Sequence, residues 1–343
     1  MSNALRGMIS QRQLIAIFFV SRLVVSLTNI QAVSIGKFSS DILISFSLSF
    51  LLTCLLSLPV VLCLNAKKSP LNSRVLSVAY LVYYVLFASL SVSRFAYFVA
   101  TGITRDSPMF VFIILAFVAV GYGAYLGIEA LGRFAVPCAV TISFVIAVIV
   151  AFNFKSFDCV NLFPAFENDI RHIIANTVIF TSNTIEPALL PVLARRTNGS
   201  PVKPYYVGIG CAYLSVFVLL LMCIGVLGNS AALQAFPIYS LFQCASINDM
   251  SRLDILHLAF WVLAVFIKCA VLIYCSSVVL KKFTHKSKVI GLCLVGFALS
   301  FALNELIGMY FAYYSKPLLI ALFLIFVVLV PLVNLLLGRK RIE

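Results

Sequence analysis

The sequence predicts an all-α integral membrane protein of ten transmembrane helices, forming one transmembrane domain over residues 1–343. Hydrophobic residues make up 63% of the chain and charged residues 10%, with a mean hydropathy of +1.11, whereas about 25% of residues are charged in soluble proteins. Apolar windows of about 20 residues, long enough to cross a hydrocarbon core of roughly 30 Å, recur along the chain. Several windows contain an ionisable residue, which is typical of membrane proteins with a polar interior.

The apolar windows define ten predicted spans, at 11–32, 42–64, 75–100, 108–129, 134–154, 171–193, 205–228, 255–280, 289–313 and 318–338. Arg12 and Arg22 interrupt the first window and no small-residue cleavage site follows it cleanly, so we expect a retained helix rather than a signal peptide. The joints carry turn-forming residues, for example at 67–70, at 198–201 and at the Lys316-Pro317 pair.

The basic residues predict the orientation. Of the 25 lysines and arginines, six lie on one side of the predicted spans: Lys37, Arg105, Lys155, Arg171, Arg252 and Lys316. Arg22, Arg94 and Lys268 fall inside spans, and the remaining sixteen share the side of both termini. The positive-inside rule therefore places both termini in the cytoplasm. The formal net charge of +14 is then explained by topology and contact with the lipid bilayer rather than by nucleic acid.

Two long loops, 155–170 and 229–254, follow the fifth and seventh spans on the outer side. The chain divides into spans 1–5 and 6–10 with opposite topology, which is the plan of transporters with inverted repeats. Cys159 and Cys244 lie in these loops, and whether they pair remains open. The ten cysteines form no C-x-x-C motif and no cluster with histidine, so neither a metal nor a cofactor is predicted.

Lys268 lies near the middle of the eighth span, 12 residues or roughly 18 Å of helix from its end. A charge at such a depth costs about 2.5–3.5 kcal/mol on insertion scales, so it is expected to face a partner, a cavity or a ligand. The sixth span contains a polar run from Thr181 to Glu186, followed by Pro187, which forms a poor continuous helix. We expect either a proline kink with a polar patch or a break whose helix ends bind charged groups.

Further polar residues occupy the other spans. Arg22, Ser26 and Asn29 share one face of the first span, either as a seam bonded to neighbouring helices or as part of a site. Arg22 and Lys268 are both candidate partners for Glu186. Tyr84 and Arg94 share a stripe of the third span, which is either an interhelical packing face or a cavity wall.

The predicted ligand-binding residues are Ser21, Arg22, Tyr84, Thr181, Ser182, Asn183, Glu186 and Lys268, and the predicted gating or relay residues are Arg94, Asn304 and Glu305. A structural hydrogen bond and a proton relay are equally open for Asn304 and Glu305. No nucleophile–base pair accompanies these residues, so an enzyme is not predicted.

An ordered set of motifs carries a resemblance to a known family. The set comprises Ile9-Ser10-Gln11-Arg12-Gln13-Leu14, Gly127-Ile128-Glu129 with Arg133, Asn161-Leu162-Phe163-Pro164 with Glu167, Glu186 with Pro191, Phe236-Pro237-Ile238-Tyr239, Arg252-Leu253-Asp254, Trp261, Phe266-Ile267-Lys268 and Tyr274. With these motifs the chain resembles the endospore germination permeases, the membrane B subunits of spore germinant receptors. Length and span number agree with that family over essentially the whole chain.

The resemblance implies the amino acid–polyamine–organocation superfamily and a fold of the leucine-transporter type, with helices 1 and 6 broken around a central site. It implies a receptor for a small germinant, often an amino acid, in the cell membrane or spore inner membrane of a sporulating bacterium. The implied partners are a membrane A subunit and a lipoprotein C subunit. An active amino acid or solute permease, with proton coupling, is the alternative. Residues 11–32 contain neither glycine nor proline, which departs from the small residues at which helices of this superfamily usually unwind.

Overall fold

A computed structural model describes residues 7–28, 38–104, 107–245, 254–280, 284–307 and 311–337. The first half contains α1 (Gln11–Thr28), α2 (Asp41–Leu56), α3 (Leu58–Asn65), α4 (Arg74–Phe98), α5 (Met109–Leu126) and α6 (Ile128–Asn153). A π-helical turn, Val99–Ile103, extends α4. α2 and α3 together correspond to the second predicted span, and the junction at Ser57 precedes a proline in the first turn of α3.

The second half contains α7 (Ile170–Ser182), α8 (Glu186–Leu193), α9 (Val202–Leu227), α10 (Pro237–Cys244), α11 (Asp254–Val279), α12 (His285–Ile307), α13 (Phe311–Phe323) and α14 (Val330–Leu337). A π-helical segment, Leu324–Leu329, joins α13 to α14. The Tyr80 hydroxyl of α4 donates a hydrogen bond to the Phe326 carbonyl of this segment at 2.7 Å. Such a donor satisfies an irregular backbone group that lipid could not.

Nine helical segments among the described residues are long and apolar enough to cross a membrane. They correspond to the second through tenth predicted spans, so the all-α membrane architecture is confirmed. α1, the first predicted span, is not among the nine, and the total of ten remains a prediction. The cytoplasmic position of both termini also remains a prediction.

Two predicted joints are wrong. We expected the fourth span to end at residue 129 and the fifth to begin at 134, but Gly127 alone separates α5 from α6. Gly127 has a φ of 92°, which glycine adopts readily, so the chain reverses without a loop. Lys316-Pro317 was expected between the last two spans, but it lies inside α13. Membrane helices tolerate proline because neighbouring helices satisfy the freed backbone groups.

The broken span 6 lies at the centre of the fold and other spans lie at its periphery. In the segment Ile170–Arg196, 89% of the most apolar stretch is buried, compared with 28% in α5 and in the segment His285–Asn304. α1 packs against α9, where Gly208 permits a close approach. A Cβ at Gly208 would lie 2.7 Å from the Ile15 carbonyl oxygen and 2.9 Å from the Phe18 Cβ. The glycine therefore allows α1 to reach the centre.

The motif at the start of α1 forms a capping box. The Ser10 amide donates to Gln13 Oε1 at 2.8 Å, and the Gln13 amide donates to Ser10 Oγ at 3.3 Å. Ile9 forms a parallel bridge with Thr197, just beyond α8. Its amide donates to the Arg196 carbonyl at 2.8 Å and its carbonyl accepts from the Asn198 amide at 3.0 Å. These bonds fix the start of α1 against the end of span 6.

The loop between α6 and α7 is tied to two helices. The buried carboxylate of Asp41, the first residue of α2, accepts bonds from the amides of Phe166 at 2.6 Å and Asn168 at 2.7 Å. At the other end of the loop, Asn161 Nδ2 donates to the Gly225 carbonyl of α9 at 2.8 Å. The loop therefore bridges α2 and α9. Cys159 in this loop and Cys244 in α10 are both free and exposed.

Candidate functional site

The predicted break in span 6 is confirmed. α7 ends at Ser182 and α8 begins at Glu186, leaving Asn183, Thr184 and Ile185 outside regular helix. The Ser182 hydroxyl and the Asn183 side-chain amide both donate to the Ile179 carbonyl at 2.9 Å. Such local bonds compete with the helical ladder, and the proline that follows Glu186 lacks a backbone donor. The break is buried in protein, as non-helical backbone at membrane depth must be.

Lys268 and Glu186 form an ion pair beside this break. Lys268 Nζ lies 3.1 Å from Glu186 Oε1, and both side chains are 0% exposed. The Ser21 hydroxyl donates to the same carboxylate oxygen at 2.7 Å, and Lys268 Nζ also donates to the Ser21 carbonyl at 3.2 Å. The carboxylate belongs to the first residue of α8, where the helix dipole favours negative charge. Residues from α1, α8 and α11 therefore meet in one charged cluster.

Arg22, the competing partner that we considered for Glu186, bonds other groups. Its Nη2 donates to the Phe180 carbonyl at 3.3 Å and to the Tyr213 hydroxyl at 2.9 Å. The guanidinium carbon lies 4.6 Å from the centre of the Tyr213 ring, within cation–π range. Arg22 is buried, and its Nε and Nη1 have no hydrogen-bond partner.

Tyr213 of α9 was missed by the sequence reasoning. Its hydroxyl also lies 3.0 Å from Thr53 Oγ1 and 3.4 Å from Thr184 Oγ1, so it links α2 and α9 to the break. A tyrosine in the middle of an apolar span was the available signal, because a buried hydroxyl usually requires a partner.

A further cation reaches the break from α4. Arg94 Nη1 donates to Asn183 Oδ1 at 3.2 Å, while its Nε and Nη2 are buried without a partner. Glu186 Oε2 also has no partner. Among the described side chains, Arg22, Arg94 and Lys268 thus approach the break together with one carboxylate, Glu186, so these described groups carry more positive than negative charge. Free guanidinium donors suit a carboxylate, and a free carboxylate oxygen suits an ammonium group.

The other predicted residues divide between the break and its surroundings. The Tyr84 hydroxyl donates to the Ala188 carbonyl of α8 at 2.5 Å. Thr181 Oγ1 instead bonds the Thr177 carbonyl at 2.8 Å and the Ser49 carbonyl of α2 at 3.4 Å, so it packs away from the ion pair. Asn304 Oδ1 accepts a hydrogen bond from the hydroxyl of Ser93, the neighbour of Arg94, at 2.6 Å. Asn29 and the side chains of Ser26 and Glu305 lie outside what the structure describes.

α1 is continuous through the site. It runs without a break from Gln11 to Thr28, although the resemblance implied a broken helix 1. The absence of glycine and proline accounts for the difference, because each residue of this segment keeps its helical hydrogen bonds without strain. α1 therefore contributes Ser21 and Arg22 as side chains of a regular helix.

Aromatic layers cover the site at both ends. Trp261 Nε1 donates to the Val24 carbonyl of α1 at 3.3 Å, and its ring lies 5.2 Å from Phe95 and 4.7 Å from Phe98. Tyr83 lies on α4 roughly 22 Å of helix before Phe98, and its ring stacks on that of Phe326 at 4.4 Å. Between these layers the Lys268 and Glu186 side chains are fully buried.

The chain is similar to known membrane proteins. A family model described as "spore germination protein" matches residues 68–306. A Na⁺-coupled sialic acid symporter, solved in a substrate-bound outward-open state, is 12% identical with a TM-score of 0.64, covering 95% of this chain and 80% of the symporter. A nucleobase-cation-symport-1 family transporter in a closed conformation with bromovinylhydantoin bound is 14% identical with a TM-score of 0.44, covering 94% of this chain and 80% of the transporter. The search of curated proteins found no match.

The similarity to the sialic acid symporter confirms the leucine-transporter type of fold that the resemblance implied. The match to the family model extends over more than two thirds of the chain and includes the break, Glu186 and Lys268. The chain is therefore a multi-pass membrane protein that belongs to the spore germination protein family.

Proposed function

We propose that the chain is the membrane subunit of a spore germinant receptor, which binds a small germinant at the break in span 6 and signals by conformational change. The observation that carries the proposal is the unbalanced buried charge of the described side chains: Arg22, Arg94 and Lys268 approach the break with Glu186 as the carboxylate among them. Buried charges in a membrane usually pair with one another or mark a substrate path. The family context supports the link to germination.

The unsatisfied atoms favour an amino acid as ligand. Arg22 offers Nε and Nη1 to a carboxylate, and Glu186 offers Oε2 to an ammonium group. The proposed binding residues are Ser21, Arg22, Tyr84, Thr181, Ser182, Asn183, Glu186 and Lys268. Thr181 would contribute indirectly, because its hydroxyl bonds α2 and so holds the end of α7 in place. Arg94 and Asn304 with Glu305 are proposed as gating or relay residues.

Signalling requires two conformations with different affinities for the ligand, because a ligand shifts an equilibrium only by that difference. Ser21, Glu186 and Lys268 are fully buried, so a ligand reaches them only after the aromatic layers part. Binding would then favour a conformation in which α8 and α11 have moved relative to α1. A membrane A subunit and a lipoprotein C subunit are the proposed recipients of that movement.

Active transport is the second candidate. The symporter fold favours it, as does the ammonium of Lys268, which contacts the Ser21 carbonyl as a fixed cation could in place of a coupling ion. Uptake of labelled amino acids into proteoliposomes, with and without a pH gradient, separates the candidates. Concentrative uptake supports transport, whereas saturable binding without flux supports sensing.

A thermal-shift screen of the purified protein against amino acids, sugars and nucleosides tests the site. A ligand at 100 times its dissociation constant stabilises a protein by about 2.7 kcal/mol. We expect an amino acid to stabilise the native protein and the Arg133→Gln control, whose arginine forms an exposed ion pair with Glu129. Arg22→Gln should abolish the shift. Equal stabilisation of Arg22→Gln, or no response to any amino acid, would refute this assignment.

A further inference from the structure

A groove runs between α5 and α12 on the periphery of the fold. Its cavity volume is about 570 Å³. Gly121 forms part of its floor, where a Cβ would lie only 3.1 Å from Cys293 Sγ. Val118 and Leu294 form exposed edges on either side. α5 and α12 are among the membrane segments with the smallest fraction of buried residues, so they lie at the periphery and the groove opens toward the lipid.

The two helices are antiparallel with aligned ends. His285 Nε2 lies 3.2 Å from the Tyr125 carbonyl oxygen and the two rings are stacked, which places the start of α12 beside the end of α5. Further along, a Cβ at Gly296 would lie 2.6 Å from the Phe117 ring. The groove is lined from residue 114 to 125 of α5 and from residue 286 to 297 of α12. Eleven helical steps span about 16 Å, roughly half of a 30 Å hydrocarbon core.

The groove is polar at one end and apolar at the other. Tyr122, Tyr125 and Lys286 line the first end, and Ile114 and Phe297 line the second. Among the described residues that line it, Lys286 is the one charged side chain. Lys286 is exposed, so its ammonium can reach a headgroup at the interface. Tyrosines at such a level commonly mark the membrane–water boundary.

We propose that this groove binds an anionic phospholipid, with an acyl chain along Phe117 and Cys293 and the phosphate at Lys286. The length of the groove is close to the thickness of one leaflet. Its apolar lining suits an acyl chain, and the ammonium of Lys286 suits an anionic headgroup. The positive-inside assignment places Lys286 on the cytoplasmic side, where anionic lipids attract lysines. α12 also bonds α4 through Ser300 Oγ and the Ser89 carbonyl at 2.9 Å, so an occupied groove would support the helix that carries Arg94.

Native mass spectrometry of delipidated protein tests the headgroup contact. Phosphatidylglycerol and phosphatidylethanolamine with identical dioleoyl chains are the two probes. One lysine near an anionic surface contributes about 1 kcal/mol, so we expect native protein to prefer phosphatidylglycerol about fivefold. Lys286→Gln should remove the preference, while the control Lys203→Gln, which changes an exposed lysine of α9, should keep it. If both variants lost the preference for phosphatidylglycerol equally, the preference would come from the overall positive charge of the surface, and the proposal would be overturned.

Filling the groove tests the acyl contact. Leu294→Trp and Val118→Trp enlarge the side chains at the two edges of the groove. Each should weaken the binding of both lipids several-fold. Val140→Trp on α6 is the control, because Val140 is equally exposed and does not line the groove. Equal binding by the three tryptophan variants would refute the groove as the acyl site. Displacement of phosphatidylglycerol by inorganic phosphate would show a free-phosphate site instead and would also overturn the proposal.

Discussion

Removing the ammonium of Lys268 provides a quantitative test of the buried ion pair. Lys268→Met keeps an apolar stem of four heavy atoms but removes the ammonium, so the Glu186 carboxylate stays buried without its cation. At the observed 3.1 Å separation, Coulomb's law with an effective dielectric constant of 20 gives an attraction of about 5 kcal/mol. Breaking one partner of a buried pair typically costs about 3–5 kcal/mol. We therefore expect Lys268→Met to lose a free energy of unfolding in that range.

The double variant Lys268→Met with Glu186→Gln separates pairing from simple loss of packing. Both charges are then absent, and the Ser21 hydroxyl can still donate to the side-chain carbonyl oxygen of the glutamine that replaces Glu186, so much of the stability should return. With an unfolding entropy of about 2.1 cal/mol/K per residue, 3–5 kcal/mol corresponds to a fall of about 4–7 °C in the unfolding midpoint. Differential scanning fluorimetry in detergent measures the unfolding midpoint, and Lys203→Met, which changes an exposed lysine, is the control. If the losses of the two single variants simply add in the double variant, the pairing argument is refuted.

Three further results are expected from the surroundings of the site. Trp261→Phe should keep the ring packing but lose the bond to the Val24 carbonyl, at a cost of about 1 kcal/mol in the free energy of unfolding measured in urea. Asp41→Asn should loosen the loop that it holds through the amides at 166 and 168, seen as faster proteolysis of residues 154–169 than in the control Ser47→Ala, which removes an exposed bond within α2. In single-cysteine variants, an impermeant maleimide should label Cys159 from outside intact cells and react more slowly at Cys244, because the part of the Cys244 side chain that is buried loses solvation, which raises the pKa of its thiol. The Cys244 rate should rise with pH as its thiolate forms, and labelling of Cys159 only from the cytoplasm would reverse the predicted orientation.

The sequence predicted the parts of the site that depend on local chemistry and depth. The polar run before Pro187 predicted the break because its side chains compete for backbone carbonyls, as Ser182 and Asn183 do at Ile179. Lys268 had to find a partner because of its depth in the membrane, and Glu186 is that partner. Both inferences need only the residue type and its position along one helix.

The remaining contacts depend on how distant helices approach one another. Tyr213 and Thr53 come to Arg22 and the break from α9 and α2, which no spacing along the chain relates to α1. Asp41 holds a loop more than 120 residues away in sequence, and its position at a helix start gave no sign of that role. The corner at Gly127 was missed because an apolar window continues on both sides of it.

The fluorescence of Trp261 offers the most direct test of the central claim, which is that a small ligand at the break changes the conformation of the protein. Trp261 is the single tryptophan of the chain, and it packs on Phe98 and donates to the Val24 carbonyl of α1, three residues from Ser21. In lipid nanodiscs, titration with the amino acid that gives the largest thermal shift should change its emission saturably. The change should be absent in Arg22→Gln and retained in Arg133→Gln. A stabilising amino acid that leaves the emission constant, or acts equally on Arg22→Gln, would contradict the account.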